Sequence, residues 1–214
     1  LGENHYIMTT TTGGAANVLS KLEDYLQTEW PELDVYLTSV TDHFATISVC
    51  GPSSKKIVST VIDDLDFSDE NFPHMSFKNA KINKINCRDM RISFTGELSY
   101  EINVQANYAK AVWEKCMEAG KDFNITPYGT ETMHLLRAEK GFIIVGQDTD
   151  GTMTPVDLQM DWLVSQKKHY HIGKKSLYRS DTIREDRKQL VGLLTENPEE
   201  VLEEGAQIVA DIKK

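Results

Sequence analysis

Apolar and polar positions along this chain repeat with two periods, and the changes between them mark the predicted elements. From Ala15 to Trp30 the apolar residues Val18, Leu22, Tyr25 and Leu26 fall three or four apart, which predicts an amphipathic helix ended by Pro31. His5 to Thr10 and Val35 to Val40 are β-rich runs. Phe44 to Cys50 follows the turn Asp42-His43 as another strand. Gly51-Pro52-Ser53-Ser54 opens a helix running to about Ile62, with Pro at an early helical position. Asp63 to Pro73 reads as an acidic loop. Lys81–Cys87 and Met90–Thr95 predict a β pair, and Tyr100–Val104 a further strand. Asn107–Ala119 carries Ala111, Val112, Cys116 and Met117 on one helical face, and Gly120 ends it. Gly129–Lys140 is another predicted helix, with Gly141 just past its end.

The first part therefore reads β-α-β-β-α, a ferredoxin-like split β-α-β arrangement. The expected class is α+β with mixed sheets. Beyond Pro155, the residues Leu158, Trp162 and Val164 predict a segment packing back on the core. Arg179 to Lys188 is a charged, exposed stretch, and Gln189–Leu194 a strand that opens a C-terminal β module. This divides the chain into residues 1–80, 81–178 and 179–214.

Composition narrows the functional classes. The 214 residues are 40% hydrophobic and 26% charged, as in an ordinary globular protein, with a formal net charge of −10. That balance argues against nucleic-acid backbone binding, which needs clustered Lys and Arg. No run of 18 apolar residues predicts a membrane span. Cys50, Cys87 and Cys116 are odd in number and fit no metal-ligand spacing, so they read as free thiols of a cytoplasmic protein with no metal site. The chain starts Leu-Gly and stops inside the strand-like Gln207-Ile-Val-Ala-Asp-Ile-Lys-Lys, so both ends read as truncations.

The chemistry concentrates between Arg91 and Gly173. Glu101 alternates with Tyr100 and Ile102 on a strand. A carboxylate there that faces a pocket accepts two N–H donors at once, a pairing that selects for geometry; one on the outer face is simply solvated. Glu97, after Gly96, reads as a turn carboxylate or a partner of Arg137, which stands near a helix C-terminus where a cation is favoured. Asp148 and Asp150 in Gly146-Gln-Asp-Thr-Asp-Gly151 have a calcium-loop spacing. The twelfth position from Asp148 is Gln159, so a loop folded by Asx-type hydrogen bonds fits better. Thr9–Thr12 before Gly13-Gly14 either lets backbone approach a ligand or caps a helix.

These pieces in this order resemble the aminomethyltransferase fold of the glycine-cleavage T-protein family. The matching residues are Gly96-Glu97…Glu101, Leu136-Arg137-Ala-Glu139-Lys-Gly141, Gly146-Gln-Asp148-Thr-Asp150, Thr154-Pro155-Val-Asp157, Trp162 and Ile172-Gly173-Lys174. Within that superfamily, His5-Tyr-Ile-Met-Thr-Thr-Thr-Thr-Gly-Gly-Ala, Asp34-Val-Tyr-Leu-Thr-Ser-Val-Thr and Tyr128-Gly-Thr-Glu-Thr-Met-His look like the alpha subunits of heterotetrameric sarcosine oxidases.

The resemblance implies a tetrahydrofolate-binding region of an oxidoreductase. There, sarcosine is oxidatively demethylated to glycine and the one-carbon unit passes to tetrahydrofolate, giving 5,10-methylenetetrahydrofolate. It implies NAD and flavins (FAD and FMN) bound outside this region, and beta, gamma and delta subunits as partners. Carried over by position, Glu101 is the pterin-binding carboxylate, with Tyr100, Thr11 and Met133 as further folate-binding positions. Glu97, Arg137 and Asp148 are supporting residues. Two positions depart from the T-protein pattern: Met133 stands where T-proteins place a substrate-binding Arg, and the Asn-Ala pair is replaced near Thr11. The family's essential Asp is expected upstream of residue 1, so no catalytic residue is assigned here and the piece is expected to be inactive alone. The alternatives are a non-catalytic docking module for a flavin-bearing subunit and a stand-alone aminomethyltransferase.

Overall fold

Strand alternation decides which side of the protein is dry. In the computed structural model, which describes residues 1–209, a four-stranded sheet is built from β1 (Phe44–Cys50), β2 (Phe77–Ile82), β3 (Ile85–Met90) and β4 (Ser99–Gln105) in the order β1-β4-β3-β2. Every pairing is antiparallel, so the α+β class stands while the sheet is not mixed. Ile47 and Val49 of β1, Cys87 of β3 and Tyr100, Ile102 and Val104 of β4 point to one face and are buried. Helices α2 (Ser54–Val61) and α3 (Ala109–Ala119) contribute Ile57, Val58, Val61, Val112 and Cys116 to the same core. Each such side chain contributes on the order of 1.5–3 kcal/mol by leaving water. Phe67, Phe72 and Tyr100 belong to this core, with ring centroids 5.5–5.8 Å apart; Tyr100 meets both phenylalanines edge to face, and the two phenylalanines are tilted to each other.

Helix α1 (Ala15–Thr28) forms where its apolar stripe predicted it, and Val18, Leu22, Tyr25 and Leu26 are half-buried along that stripe. Helix α4 (Thr130–Glu139) ends as expected. Gly141 takes φ +72, and the N–H of Phe142 bonds the Arg137 carbonyl at 2.9 Å.

Several predicted strands are absent. In His5–Thr10 only His5 pairs, in an isolated bridge with Gly2, and Val35–Val40 finds no ladder partner among the described residues; Tyr6 and Tyr36 are exposed. β propensity without a neighbouring strand leaves the backbone bonded to water. The β-α-β-β-α reading is replaced by α1-β1-α2-β2-β3-β4, with α2 joining the two edge strands. The Lys81–Cys87 and Met90–Thr95 pair is shifted: the hairpin pairs Phe77–Ile82 with Ile85–Met90. The cause is Asn83, which adopts φ +55 in a two-residue turn. Because β2 runs across residues 80 and 81, the expected boundary there cuts through one sheet.

The chain divides into two compact units, residues 1–142 and 143–214. In the second unit the described residues form turns and the short 3-10 helices Asp161–Leu163 and Lys174–Tyr178. The predicted strand Gln189–Leu194 is irregular and Leu194 is fully exposed, so no C-terminal β module appears among the described residues. Of the strand expected from Gln207 onward, residues 210–214 lie outside the described residues. Trp162, expected to pack on the core, is exposed. This unit is held instead by Asp157, which is buried and accepts N–H bonds from Arg187 at 2.7 Å (Nε) and 2.5 Å (guanidinium nitrogen) and from the Thr154 backbone at 2.7 Å.

Candidate functional site

The sheet face opposite the core carries the polar half of each alternation. On β1 these positions are Thr46, Ser48 and Cys50; on β4 they are Ser99, Glu101, Asn103 and Gln105. Register places Ser48 directly beside Glu101 on one side and Met90 of β3 on the other. Farther along, Arg88 pairs with Asn103, and Asn79 of β2 with Arg88. Short bonds knit this face: Thr46 Oγ1 donates to Asn103 Oδ1 at 2.8 Å, Asn103 Nδ2 donates to the Glu101 carbonyl at 3.1 Å, and the Ser48 and Ser99 hydroxyls meet at 3.3 Å. Beyond Asn103, a cleft of about 790 Å3 opens at the hairpin end, lined in part by Lys81, Arg88, Asn103, Gln105 and Tyr108.

Glu101 is half-buried, and its carboxylate has no hydrogen-bond or ion-pair partner among the described residues. Burial pushes its carboxyl above the ordinary value. A carboxylate already partly stripped of water and left without a donor is suited to a ligand that brings paired N–H groups.

Next to it stands Tyr128, the residue before Gly129 at the entry to α4. The Cys50 thiol donates to the Tyr128 phenol oxygen at 3.3 Å, tying the start of α4 to the end of β1. Burial first, then the Cys50 contact, push the Tyr128 phenol up to about 12, and the nearby Glu101 charge acts in the same direction. The phenol thus stays a neutral donor across the ordinary pH range. The other end of α4 is fixed through Lys140, whose Nζ lies 2.9 Å from Glu97 Oε1.

The predicted site residues separate. Glu101 lies on the polar face as the ligand reading requires. Tyr100 does not join it: strand alternation turns it to the opposite face, where it is fully buried against Phe67 and Phe72. Thr11 is exposed, its carbonyl accepting the Gly14 N–H at 2.9 Å, and Met133 is half-buried on α4; neither hydrogen-bonds the Glu101 side chain. Glu97 pairs with Lys140. Arg137 is buried and donates to the Phe142 carbonyl at 3.1 Å at the end of α4. Asp148, in the second unit, accepts the Ile144 N–H at 2.8 Å, and Asp150 accepts from the Thr152 N–H at 2.8 Å, as an Asx-folded loop does. Tyr128, Ser48 and Cys50 were not among the predicted site residues. The signal for Tyr128 was its place just before the helix-opening Gly129; nothing local announced its pairing with Cys50.

A model of the GCVT N-terminal domain matches residues 1–168. The chain belongs to this family. Among relatives, the chain is 55% identical over 212 residues to the sarcosine oxidase subunit alpha of Corynebacterium sp. (strain P-1), covering 99% of this chain and 22% of that protein. It is 40% identical over 212 residues to the sarcosine oxidase subunit alpha of Rhizobium meliloti (strain 1021), covering 98% of this chain and 21% of that protein. An aminomethyltransferase of Halothermothrix orenii is 30% identical over 183 residues, covering 84% of this chain and 48% of that protein. The chain therefore spans about a fifth of the length of the sarcosine oxidase subunits it matches. The GCVT family accounts for the pairing of an antiparallel sheet with flanking helices. No helix among the described residues is long and apolar enough to cross a membrane.

Proposed function

We propose that this chain is the folate-binding region of a sarcosine oxidase alpha subunit, working in the cytoplasm as part of a larger assembly with beta, gamma and delta subunits. The observation that carries the reading is Glu101: a half-buried carboxylate without a partner among the described residues, on the strand that follows the Gly96-Glu97 turn. The intact enzyme would oxidise sarcosine to glycine with NAD and flavins held outside this region. Tetrahydrofolate, when bound, supplies the nitrogen nucleophiles that take up the one-carbon unit as 5,10-methylenetetrahydrofolate.

The residues present fit a pterin. Its exocyclic amine and neighbouring ring N–H form a two-donor edge, and Glu101 is a two-acceptor group lacking donors of its own. Glu101 would hold that edge and fix the plane of the ring. Met90, across from Glu101 on β3, offers apolar contact to a flat ring. The chain contributes placement rather than covalent catalysis, so its effect on rate comes through orientation.

Thermal melting of the intact polypeptide with a reduced folate tests the reading. Ligand binding to the native state raises the midpoint with concentration. A midpoint that stays fixed up to millimolar folate would overturn the proposal and leave a docking role for this region.

A further inference from the structure

The Glu101 carboxylate accounts for two positions of a three-position hydrogen-bonding edge. A reduced pterin presents, in order, an exocyclic N–H, a ring N–H and a carbonyl oxygen: two donors and then an acceptor. Glu101 satisfies the two donors. The carbonyl that follows needs a donor of its own, and if it is buried without one it carries a desolvation cost.

Tyr128 has the features of that donor. Its phenol oxygen accepts the Cys50 S–H at 3.3 Å, and the Ser48 side chain also hydrogen-bonds it, so its lone pairs are engaged and its own O–H is left to point elsewhere. Cys50 and Ser48 occupy alternate positions on the polar face of β1, and Ser48 lies directly across from Glu101. The phenol is thus anchored over the strand that neighbours Glu101, within reach of its field. Burial keeps the hydroxyl protonated, so its donor character does not change with pH in the ordinary range.

The geometry points to Tyr128 as a specificity-determining residue that donates to the pterin 4-carbonyl beside Glu101 and so selects 4-oxo folates over 4-amino analogues. This rests on the folate reading given above. A 4-amino analogue lacks the ring hydrogen next to its 2-amino group and puts a donor where the carbonyl would be. It faces the Tyr128 hydroxyl donor to donor. A site built around a hydrogen bond rejects the ligand that lacks the matching group more strongly than an apolar pocket does.

The test measures the dissociation constants of tetrahydrofolate and of its 4-amino counterpart for the intact polypeptide and for Tyr128→Phe, with the melting midpoint of each unliganded protein recorded. The expected result is about a tenfold loss of tetrahydrofolate affinity in Tyr128→Phe, with 4-amino binding not weakened and tightened where the donor-to-donor clash is relieved. A loss that is equal for both ligands, or no loss for either, overturns the inference, since a merely structural Tyr128 would not discriminate. If Tyr128→Phe does not fold, Cys50→Ala, which removes the thiol that orients the hydroxyl, is read the same way. A selective loss for the 4-oxo ligand supports the inference, and an equal or absent loss overturns it. Failure of the unsubstituted protein to bind tetrahydrofolate at all would instead overturn the folate reading.

Discussion

Asp157 and Arg187, thirty residues apart, meet through two charge-assisted hydrogen bonds of 2.7 and 2.5 Å, one to each carboxylate oxygen. Arg187 also donates to the carbonyls of Thr152 at 2.7 Å and Asp181 at 3.0 Å, so one guanidinium gathers three segments of the second unit. The carboxylate is buried, and removing it strands the cation. Because Arg187 is only half-buried and stays hydrated when left alone, we expect Asp157→Ala to destabilise this unit by about 1–3 kcal/mol, measured by denaturant unfolding followed with a probe in residues 143–209. The Arg187 bond, and after it the Thr154 bonds, hold the Asp157 carboxyl well below the usual range. A depressed native value contributes stability that is full above the unfolded value of about 4 and is lost as pH falls below it. Acid sensitivity in this window should vanish in Asp157→Ala.

Asp89 behaves in the opposite sense. It lies on the core face of β3, fully buried, with neither oxygen hydrogen-bonded among the described residues, and burial pushes its carboxyl up to about 7. In the unfolded chain it ionises near 4, so the folded state binds the extra proton between these values. Stability should therefore decline as pH rises from about 4 to about 7, by on the order of 4 kcal/mol, and level off above. Asp89→Asn should flatten that decline. Parallel pH profiles for the two proteins would contradict the account.

Gly96 must be glycine for two reasons. Its φ is +79, and a Cβ there would fall 2.7 Å from the Lys140 Cβ. Since Lys140 also pairs with Glu97, the turn before β4 is locked to the end of α4. Gly96→Ala should cost about 1–3 kcal/mol in urea unfolding; an unchanged midpoint would mean that the turn is looser than described.

How much of this was legible in the sequence depends on whether the cause is local. Helices α1 to α4 were readable because their apolar spacing and terminal residues lie within a few positions of one another. The alternation through β4 also fixed the two faces, so Glu101 on the polar side was legible. The same alternation removes Tyr100 from the site. The hairpin register turned on Asn83 alone, and the two early β-rich runs lacked strands because no partner lies beside them. Nothing in the sequence couples Cys50 to Tyr128, 78 residues on, or Asp157 to Arg187; those contacts exist only once the backbone has folded.

Titration calorimetry of a reduced folate into the intact polypeptide and its Glu101→Ala variant tests the central claim most directly. The account predicts binding that weakens by about 1–3 kcal/mol in the variant, the loss expected of a charge-assisted pair. An unchanged dissociation constant would contradict it.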